Sequence, residues 1–282
     1  MNLGANQVAS AIKITSLWLL TFRFRAEVGA KRPSTPARGV LSSPIYIMQK
    51  HLIYFIVAAG LALGSHSFSE EPSGNWISLF DGKTLTGWKH STLGEAKYTV
   101  VDGAIRGETV EGSQNSFLLS EAQFGDFELE FEVKVHDSLN SGVQIRSREK
   151  TEADLAASGK DGKPATDLNR FFGPQVEIES SPGQAGYIYG EATGLGWLSP
   201  EPKDDAHSHK VMKNGEWNQF RVVAKGARIQ TFINGEAVAD LTQEAVFKTH
   251  AKGHLGLQVH GIKAGTGPYD VFWKNIRIRN LK

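Results

Sequence analysis

The chain has 282 residues, of which 40% are hydrophobic, and its 15 Phe and 6 Trp can fill a sizeable core, so it is not broadly disordered. The absence of cysteine excludes disulfides, thiolate metal sites and cysteine nucleophiles. A formal net charge of +1 combines a basic stretch over residues 1–64 with a mildly acidic remainder that has no basic stripe, so we expect no nucleic acid partner.

The first predicted element is a signal peptide that does not stand at the start of the chain. Lys50 and His51 supply its basic start, and an apolar run from Leu52 to Leu63 leads to a small-residue cleavage site before Ser65. The run is short for a bilayer span, which favours a cleaved signal over an N-terminal membrane anchor. The predicted organisation is an unstructured upstream extension over 1–47, a signal peptide over 48–64 with Met48 as the true start, a short linker over 65–75 and the working domain over 76–282. We expect the mature domain in the periplasm, outside the cell or on its surface, without a stable membrane span.

After the linker the pattern predicts β-structure almost throughout. The run from Asp126 to Val135 alternates apolar and charged residues strictly, as a strand with one buried face does. Turn dipeptides such as Asp102-Gly103 and Asn234-Gly235 separate apolar runs and predict tight connections. One short helix at most is predicted, over Thr151–Ser158, within a long exposed loop from Lys150 to Arg170. Many strands separated by glycine-rich turns predict an all-β fold, a jelly-roll sandwich of two antiparallel sheets.

The run GPQVEIES is the most informative segment for function. At the two-residue period of a strand, Gln175, Glu177 and Glu179 share one face, while Val176 and Ile178 share the other. Carboxylates on a strand face can bind sugar hydroxyls, hold a metal or exchange protons with a substrate. A solvated, charged sheet face is the structural alternative.

Other predicted strands present similar polar side chains. In NSGVQIR we expect Gln144 and Arg146 on the outer face, and in GHLGLQVHG we expect Gln258 and His260 there. If these strands share a sheet with the strand of Glu132, one open, concave outer face collects a mixed polar set typical of a sugar-binding or sugar-processing surface. The expected members of this set are Glu132, Arg146, Gln175, Glu177, Glu179, Gln258 and His260.

Aromatic and histidine residues offer further candidates. Tyr187, Tyr189 and Trp197 are predicted either to stack against sugar rings or to join the core. His207 and His209 have the residue type and close spacing of metal ligands, but no predicted strand or helix fixes their geometry.

Eight segments in order resemble the 3-keto-disaccharide hydrolase family: SLFDGKTLTGW, FGDFELEFEVKV, NSGVQIR, GPQVEIE, GEWNQFRVVAKG, FINGEAV, LGLQVHG and WKNIRIRNL. The resemblance implies a concanavalin-like jelly roll, export, and action on glycosides whose C3 hydroxyl has been oxidised to a ketone, by hydrolysis or by lyase and hydratase steps. The matching polar positions are Glu132, Asn140, Arg146, Gln175, Glu177 and His260. The family commonly shows glutamate followed two residues later by glutamine, whereas here Gln175 precedes Glu177, which leaves open which carboxylate acts.

The ketone chemistry assigns roles to these residues. A C3 ketone acidifies the C2 proton, so a positioned carboxylate or imidazole can abstract it. The predicted roles are Glu177 as base, His260 as acid and Arg146, or a divalent cation, as the group that stabilises the enolate oxygen. The residues predicted to bind the small carbohydrate substrate are Glu132, Asn140, Gln144, Gln175, Glu179, Tyr187, Tyr189, Trp197 and Gln258.

Several alternatives to these roles stay open. Glu177 and Glu179 could act as the two carboxylates of a retaining hydrolase. The same surface would serve a non-catalytic carbohydrate-binding module. His260 could be a hydrogen-bonded structural residue, and Arg146 could simply pair with a glutamate.

Overall fold

Two antiparallel β-sheets face each other across a shared apolar core, which confirms the predicted all-β, concanavalin-like jelly-roll sandwich. The computed structural model describes residues 74–158, 168–179, 183–200 and 210–282, which belong to a compact unit from Ser65 to Lys282. The predicted upstream extension and signal peptide lie outside the described residues, as does nearly all of the linker. Within the described ranges, no helix is long and apolar enough to cross a membrane.

The eight-stranded sheet contains β1 (Ile77–Ser78), β3 (Lys97–Val101), β4 (Ala104–Glu108), β6 (Phe127–Val135), β11 (Asn218–Lys225), β12 (Arg228–Ile233), β13 (Glu236–Thr242) and β15 (Asp270–Asn280). In space its strands follow the order β13-β12-β11-β6-β15-β4-β3, and β1 also pairs with β15.

The seven-stranded sheet contains β2 (Trp88–His90), β5 (Ser116–Phe124), β7 (Ser141–Glu149), β8 (Phe171–Ile178), β9 (Ile188–Glu191), β10 (Gly196–Trp197) and β14 (Gly253–Val259). Its spatial order is β10-β9-β8-β7-β14-β5-β2. The predicted GPQVEIES strand is therefore β8, with the NSGVQIR strand β7 beside it and the GHLGLQVHG strand β14 next in line.

The alternating strand β6 supplies one wall of the core. Phe127, Leu129, Phe131, Val133 and Val135 are each at most 1% exposed. They belong to the same core cluster as the inward residues of β7, β8 and β14. Burial of this apolar face, at about 25 cal/mol per Å², is what holds the two sheets together.

The predicted tight turns and the predicted short helix are present, together with one helix that was not predicted. Both residues of each turn dipeptide have a positive φ angle: 50° and 76° in Asp102-Gly103, and 52° and 86° in Asn234-Gly235. Asn, Asp and Gly tolerate this conformation in tight turns. The predicted short helix is present as α1 (Glu152–Ser158). A second helix, α2 (Glu244–Thr249), was not predicted, because 6 residues carry too little periodicity to distinguish a helix.

The outer face of the seven-stranded sheet is not open along its whole length. Phe117, Leu119 and Phe171 form a small apolar cluster there, separate from the main core. A Cβ on Gly256 would lie 2.4 Å from the Phe171 ring, so this glycine lets the ring pack closely against the strand. Gln144 is fully buried and its Nε2 donates to the Phe171 carbonyl at 3.4 Å. The open polar part of the face therefore lies beyond this cluster, around Glu177.

Candidate active site

The strand register brings the polar residues of three strands into one row. Gly142 on β7 stands opposite Glu177 on β8 and also opposite Gln258 on β14. Gly142 has no side chain, and the side chain of Gln175 lies across the space this leaves. Asn140 comes immediately before β7 and His260 immediately after β14. Because these two strands are antiparallel neighbours, both residues lie at the same end of the strand pair, beside the row.

A cleft of about 390 Å³ opens over this row. Seven residues predicted from the sequence line it: Asn140, Gln175, Glu177, Tyr189, Trp197, Gln258 and His260. Three more were not predicted: Asn115, Arg170 and Glu191.

The Glu177 carboxylate forms part of the cleft floor and is held by two amides. The residue is only 5% exposed. Gln175 Nε2 donates to its Oε1 at 2.7 Å, and Asn140 Nδ2 donates to its Oε2 at 3.1 Å. Burial, together with the charges of Glu179 and Glu191, raises the pKa of Glu177 to about 7, against the lowering effect of the two amides. A carboxyl of this kind is poised to exchange a proton near neutral pH.

Asn140 joins Glu177 to Glu179. Its Nδ2 also donates to Glu179 Oε2, at 3.3 Å. Burial raises the pKa of Glu179, and the hydrogen bond from Asn140 opposes that rise. The amide thus holds two carboxylates side by side.

An ion pair closes one end of the cleft. Arg170 Nη2 pairs with Glu191 Oε1 at 2.6 Å, and Asn115 Nδ2 donates to the same oxygen at 3.3 Å. Arg170 immediately precedes β8, and Glu191 ends β9. The only sequence signal for Arg170 was its place at the end of the long loop, because such loops are often functional.

His260 has a fixed orientation at the rim. Its Nδ1 lies 2.7 Å from the Gly261 carbonyl oxygen. A carbonyl only accepts, so Nδ1 carries the proton of that hydrogen bond and Nε2 is the nitrogen left for exchange with a substrate. The Gly261 amide in turn donates to Asn115 Oδ1 at 2.9 Å, which ties the rim to the ion pair.

Two aromatic rings form the side wall. Tyr189 and Trp197 stand opposite each other in the β9–β10 pair. Their ring centroids are 5.3 Å apart and their planes meet at 76°. Edge-to-face contacts of this kind are a favoured packing of aromatic rings, and both residues line the cleft.

The sequence that builds this cleft has counterparts among known proteins. A family model for the 3-keto-alpha-glucoside-1,2-lyase-like domain matches residues 75–279. The chain belongs to this family. The family prediction made from the eight sequence segments is thereby confirmed.

Individual relatives of this 3-keto-alpha-glucoside-1,2-lyase-like domain are distant. A protein of Bacteroides thetaiotaomicron named 3-keto-disaccharide hydrolase is 25% identical over 240 residues, which cover 73% of this chain and 78% of the relative. A crystal structure from Parabacteroides distasonis, provisionally named a glycosyl hydrolase, is 22% identical, with a TM-score of 0.48 over 73% of this chain and 94% of that one. A carbohydrate-binding module from Bacillus subtilis is 15% identical, with a TM-score of 0.45 over 68% of this chain and 95% of that one.

Glu132 does not lie in the cleft of this lyase-like domain. It belongs to β6 of the eight-stranded sheet, so it cannot share a face with Glu177. Its carboxylate accepts a hydrogen bond from Asn275 Nδ2 at 2.6 Å and pairs with Lys274 Nζ at 3.3 Å. The predicted common face was wrong here, because alternation tells which side of its own strand a residue takes but not which sheet that strand joins.

Arg146 does not lie in the cleft either. A register shift interrupts the pairing of β7 with β8, and Arg146 has a φ of 51° there. The extra residue of such a bulge breaks the alternation that placed Arg146 on the outer face. Its guanidinium is 2% exposed, donates to the carbonyls of Gly125 and Gly226 at 2.7 Å each, and pairs with Asp126 at 2.9 Å. The prediction that it faces a substrate beside Glu177 was wrong.

Other predicted ligands are also placed away from the cleft or outside the described residues. Gln144 lies under the Phe171 cluster, and Tyr187 packs partly buried against the main core. His207 and His209 lie outside the described residues. Among the residues that are described, no group of three or more His, Asp or Glu side chains is arranged to hold a metal ion.

Adding a methyl group at Gly142 is expected to disturb Glu177 without unfolding the domain. A Cβ there would lie 2.5 Å from Gln175 Cδ, so the flexible end of Gln175 must move away. Glu177 then loses its 2.7 Å donor, and its pKa rises further. For Gly142→Ala we expect the acid limb of the pH–activity profile to move up by about one pH unit. Gly125→Ala is the matched control, since its Cβ would meet nothing closer than 3.6 Å, and an identical shift in both variants would contradict this account.

Proposed function

We propose that this chain cleaves glycosides whose C3 hydroxyl has been oxidised to a ketone, with 3-keto-disaccharides or 3-keto-glucosides as substrates. The observation that carries the proposal is the buried Glu177 carboxylate at the floor of the cleft, with a pKa of about 7, in a member of this family. A base of this kind suits a reaction that begins with removal of a carbon-bound proton. The name of the Bacteroides thetaiotaomicron relative supports the same substrate class.

The first step uses the acidity that the ketone confers on C2. Glu177 takes the C2 proton, and the electron pair of that bond forms a C2–C3 double bond while the carbonyl electrons move to the oxygen at C3. Asn140 and Gln175 keep the Glu177 carboxylate oriented for this transfer. Because Glu177 is almost fully buried, its accepted proton is not lost at once to bulk water.

The second step expels the group at C1. The enolate collapses to restore the C3 ketone, a C1–C2 double bond forms, and the C1–oxygen bond breaks. His260 at the rim, carrying a proton on Nε2 as well as on Nδ1, gives the Nε2 proton to the departing oxygen. Water then adds across the double bond, oxygen to C1 and hydrogen to C2, so that the net reaction is hydrolysis; without this last step the enzyme is a lyase.

The carboxylate geometry favours this route over retaining hydrolysis. In a retaining enzyme the two carboxylates flank the glycosidic bond about 5–5.5 Å apart. Here Glu177 and Glu179 come from one side of one strand and accept from the same Asn140 nitrogen, at 3.1 and 3.3 Å. Two carboxyl groups tied to one amide sit side by side and cannot approach a sugar from opposite faces.

A carbohydrate-binding module without catalysis is the second candidate. The Tyr189–Trp197 wall supports it, since aromatic rings can hold a sugar by stacking whether or not a bond is then cleaved. Incubation with 3-keto-glucosides, with unoxidised glucosides as controls and with and without a chelator, separates the two functions. We expect release of the C1 substituent from the ketone substrates only. Saturable binding of both sugar types without any turnover would establish the binder instead.

The pH dependence of activity is expected to report the ionisation of Glu177. The base must be deprotonated in the free enzyme, so kcat/KM should fall about tenfold for each pH unit that the pH drops below about 7. Rates on a 3-keto-glucoside measured between pH 4.5 and 8 test this. An acid limb centred near 4.5, the ordinary value for glutamate, would remove Glu177 from the role of base.

Export is part of the proposal. Residues 48–64 have the basic start, apolar run and small-residue end of a signal peptide. We expect mature protein purified from its host to begin at Ser65. N-terminal peptides that start upstream of Met48 would contradict both the cleavage and the proposed start site.

A further inference from the structure

Two donor groups at the cleft have no hydrogen-bond partner among the described residues. They are Gln258 Nε2 and Arg170 Nε, and both atoms are buried. Both residues line the cleft around Glu177. A buried donor without a partner lowers the stability of the fold, and a ligand atom that accepts from it removes that cost.

A chain of amides fixes which atom Gln258 presents. Gln175 Nε2 donates to Glu177 Oε1 at 2.7 Å and also to Gln258 Oε1 at 3.3 Å. An ionised carboxylate accepts only, so Gln175 must turn its NH₂ group toward Glu177. The same NH₂ group then holds the carbonyl oxygen of Gln258, and the NH₂ group of Gln258 becomes the free end.

Gln258 is also held rigidly. The residue is fully buried, stands one residue before the end of β14 and lies one strand beyond Gly142, in the same row as Glu177. A donor of this kind needs no reorganisation when charge develops on an oxygen near it. Preorganised donors of this type are the largest single contribution in many enzymes that stabilise an oxyanion.

We propose that Gln258 Nε2 and Arg170 Nε bind the ketone oxygen at C3 of the substrate and stabilise the enolate oxygen that forms there. This inference rests on the proposed function and assigns to these two residues the role that Arg146 cannot fill. Glu177 takes the C2 proton, the C2–C3 double bond forms, and the negative charge arrives on an oxygen between the two donors. The charge leaves again when the C1–oxygen bond breaks, so no further reactant is required.

The arrangement also predicts selectivity for the oxidised sugar. A ketone oxygen accepts hydrogen bonds only and satisfies two donors at once. The C3 hydroxyl of an unoxidised sugar can also accept, but it carries a hydrogen that must find an acceptor of its own. No enolate can form from it, so no negative charge develops on the oxygen that Gln258 Nε2 and Arg170 Nε would stabilise.

The test replaces Gln258 with methionine, which has a similar volume and no N–H donor. In Gln258→Met we expect kcat on a 3-keto-glucoside to fall by about 10²–10³, with KM changed less than about threefold, because the donor acts chiefly on the developing charge. The deuterium isotope effect at C2 should rise as proton removal becomes fully rate-limiting. Gln230→Met, a substitution on the eight-stranded sheet where Gln230 donates to Asp240, is the matched control and should leave both quantities unchanged.

A second variant keeps the test independent of the folding of Gln258→Met. Arg170→Lys retains the charge opposite Glu191 but has no Nε–H, and we expect about a tenfold fall in kcat. Wild-type turnover of the ketone together with turnover rates within about threefold of wild type in both variants would overturn this assignment and leave the proposed function intact. Wild-type protein that neither cleaves the ketone nor exchanges its C2 hydrogen in D₂O would overturn the proposed function itself.

Discussion

Glu177→Gln is expected to lower kcat on a 3-keto-glucoside by about 10³–10⁴, because the amide cannot take the C2 proton. Steady-state rates at pH 7.5 check this result. The site itself should survive the change. Gln175 can still donate to the remaining oxygen, and Asn140 can turn its own amide so that its oxygen accepts from the new NH₂ group. The control is Glu236→Gln, at an exposed position at the start of β13, which should retain wild-type rates.

The same variant should be more stable than the wild type at alkaline pH. The folded-state pKa of Glu177 is about 7 and lies above its ordinary value of 4.5, so this group's contribution to folding is full below pH 4.5 and is lost as pH rises to about 7. A rise of this size in pKa corresponds to a loss of about 3 kcal/mol, and a glutamine does not suffer it. Thermal unfolding should therefore show that the variant's advantage in Tm grows between pH 4.5 and 7 and stays constant above. Equal Tm differences at pH 4.5 and 8 would show that Glu177 is not buried as an ionisable group, and retained activity would show that it is not the base.

Arg146→Met is expected to destabilise the fold and to leave the chemistry alone. The substitution removes the donors that satisfy the carbonyls of Gly125 and Gly226 and leaves Asp126 without its buried partner. Unpaired buried groups of this kind cost about 3 kcal/mol in total, equivalent to roughly 10 °C in Tm. Arg146 does not line the cleft, so the turnover rate measured well below the new Tm should stay within about twofold of wild type.

The matched control for Arg146 is Arg228→Met. Arg228 pairs with Asp240 through an exposed ion pair, which contributes little to stability, so its Tm should hardly change. The test compares the change in Tm of Arg146→Met with the change in its turnover rate. If Arg146→Met instead slowed turnover by about two orders of magnitude without a change in Tm, Arg146 would regain the role of oxyanion-binding group, and the result would count against Gln258 and Arg170.

The alternation of apolar and polar residues predicted several of the side chains that line the cleft. Alternation placed Gln175 and Glu177 on one face of β8, and it placed Gln258 on the matching face of β14. The cleft contains all three. Side-chain direction within a regular strand has a period of two residues, so a run such as GPQVEIES needs no knowledge of its neighbours to be read correctly.

Alternation gave a wrong position for a side chain where the strand is irregular. It gave no position where pairing between segments distant in sequence brings two residues together. Arg146 sits at a bulge with a positive φ, and one inserted residue reverses every side-chain direction after it. Arg170 and Glu191 are 21 residues apart and meet only because β8 and β9 pair side by side. Neither residue has a local pattern that distinguishes it from any other charged residue at the end of a strand.

The sequence by itself determined the all-β class, the family, and the direction of the side chains in the regular strands. The class and the side-chain directions depend on local periodicity, and the family depends on the eight segments and their order along the chain. Only the tertiary structure decided that Glu132 belongs to the far sheet and that Arg146 holds a loop. It also decided that a buried amide chain orients Glu177 and Gln258. Sheet membership, bulges and burial arise from contacts between residues distant in sequence. The pKa that makes Glu177 a candidate base is a property of that burial and cannot be read from the strand alone.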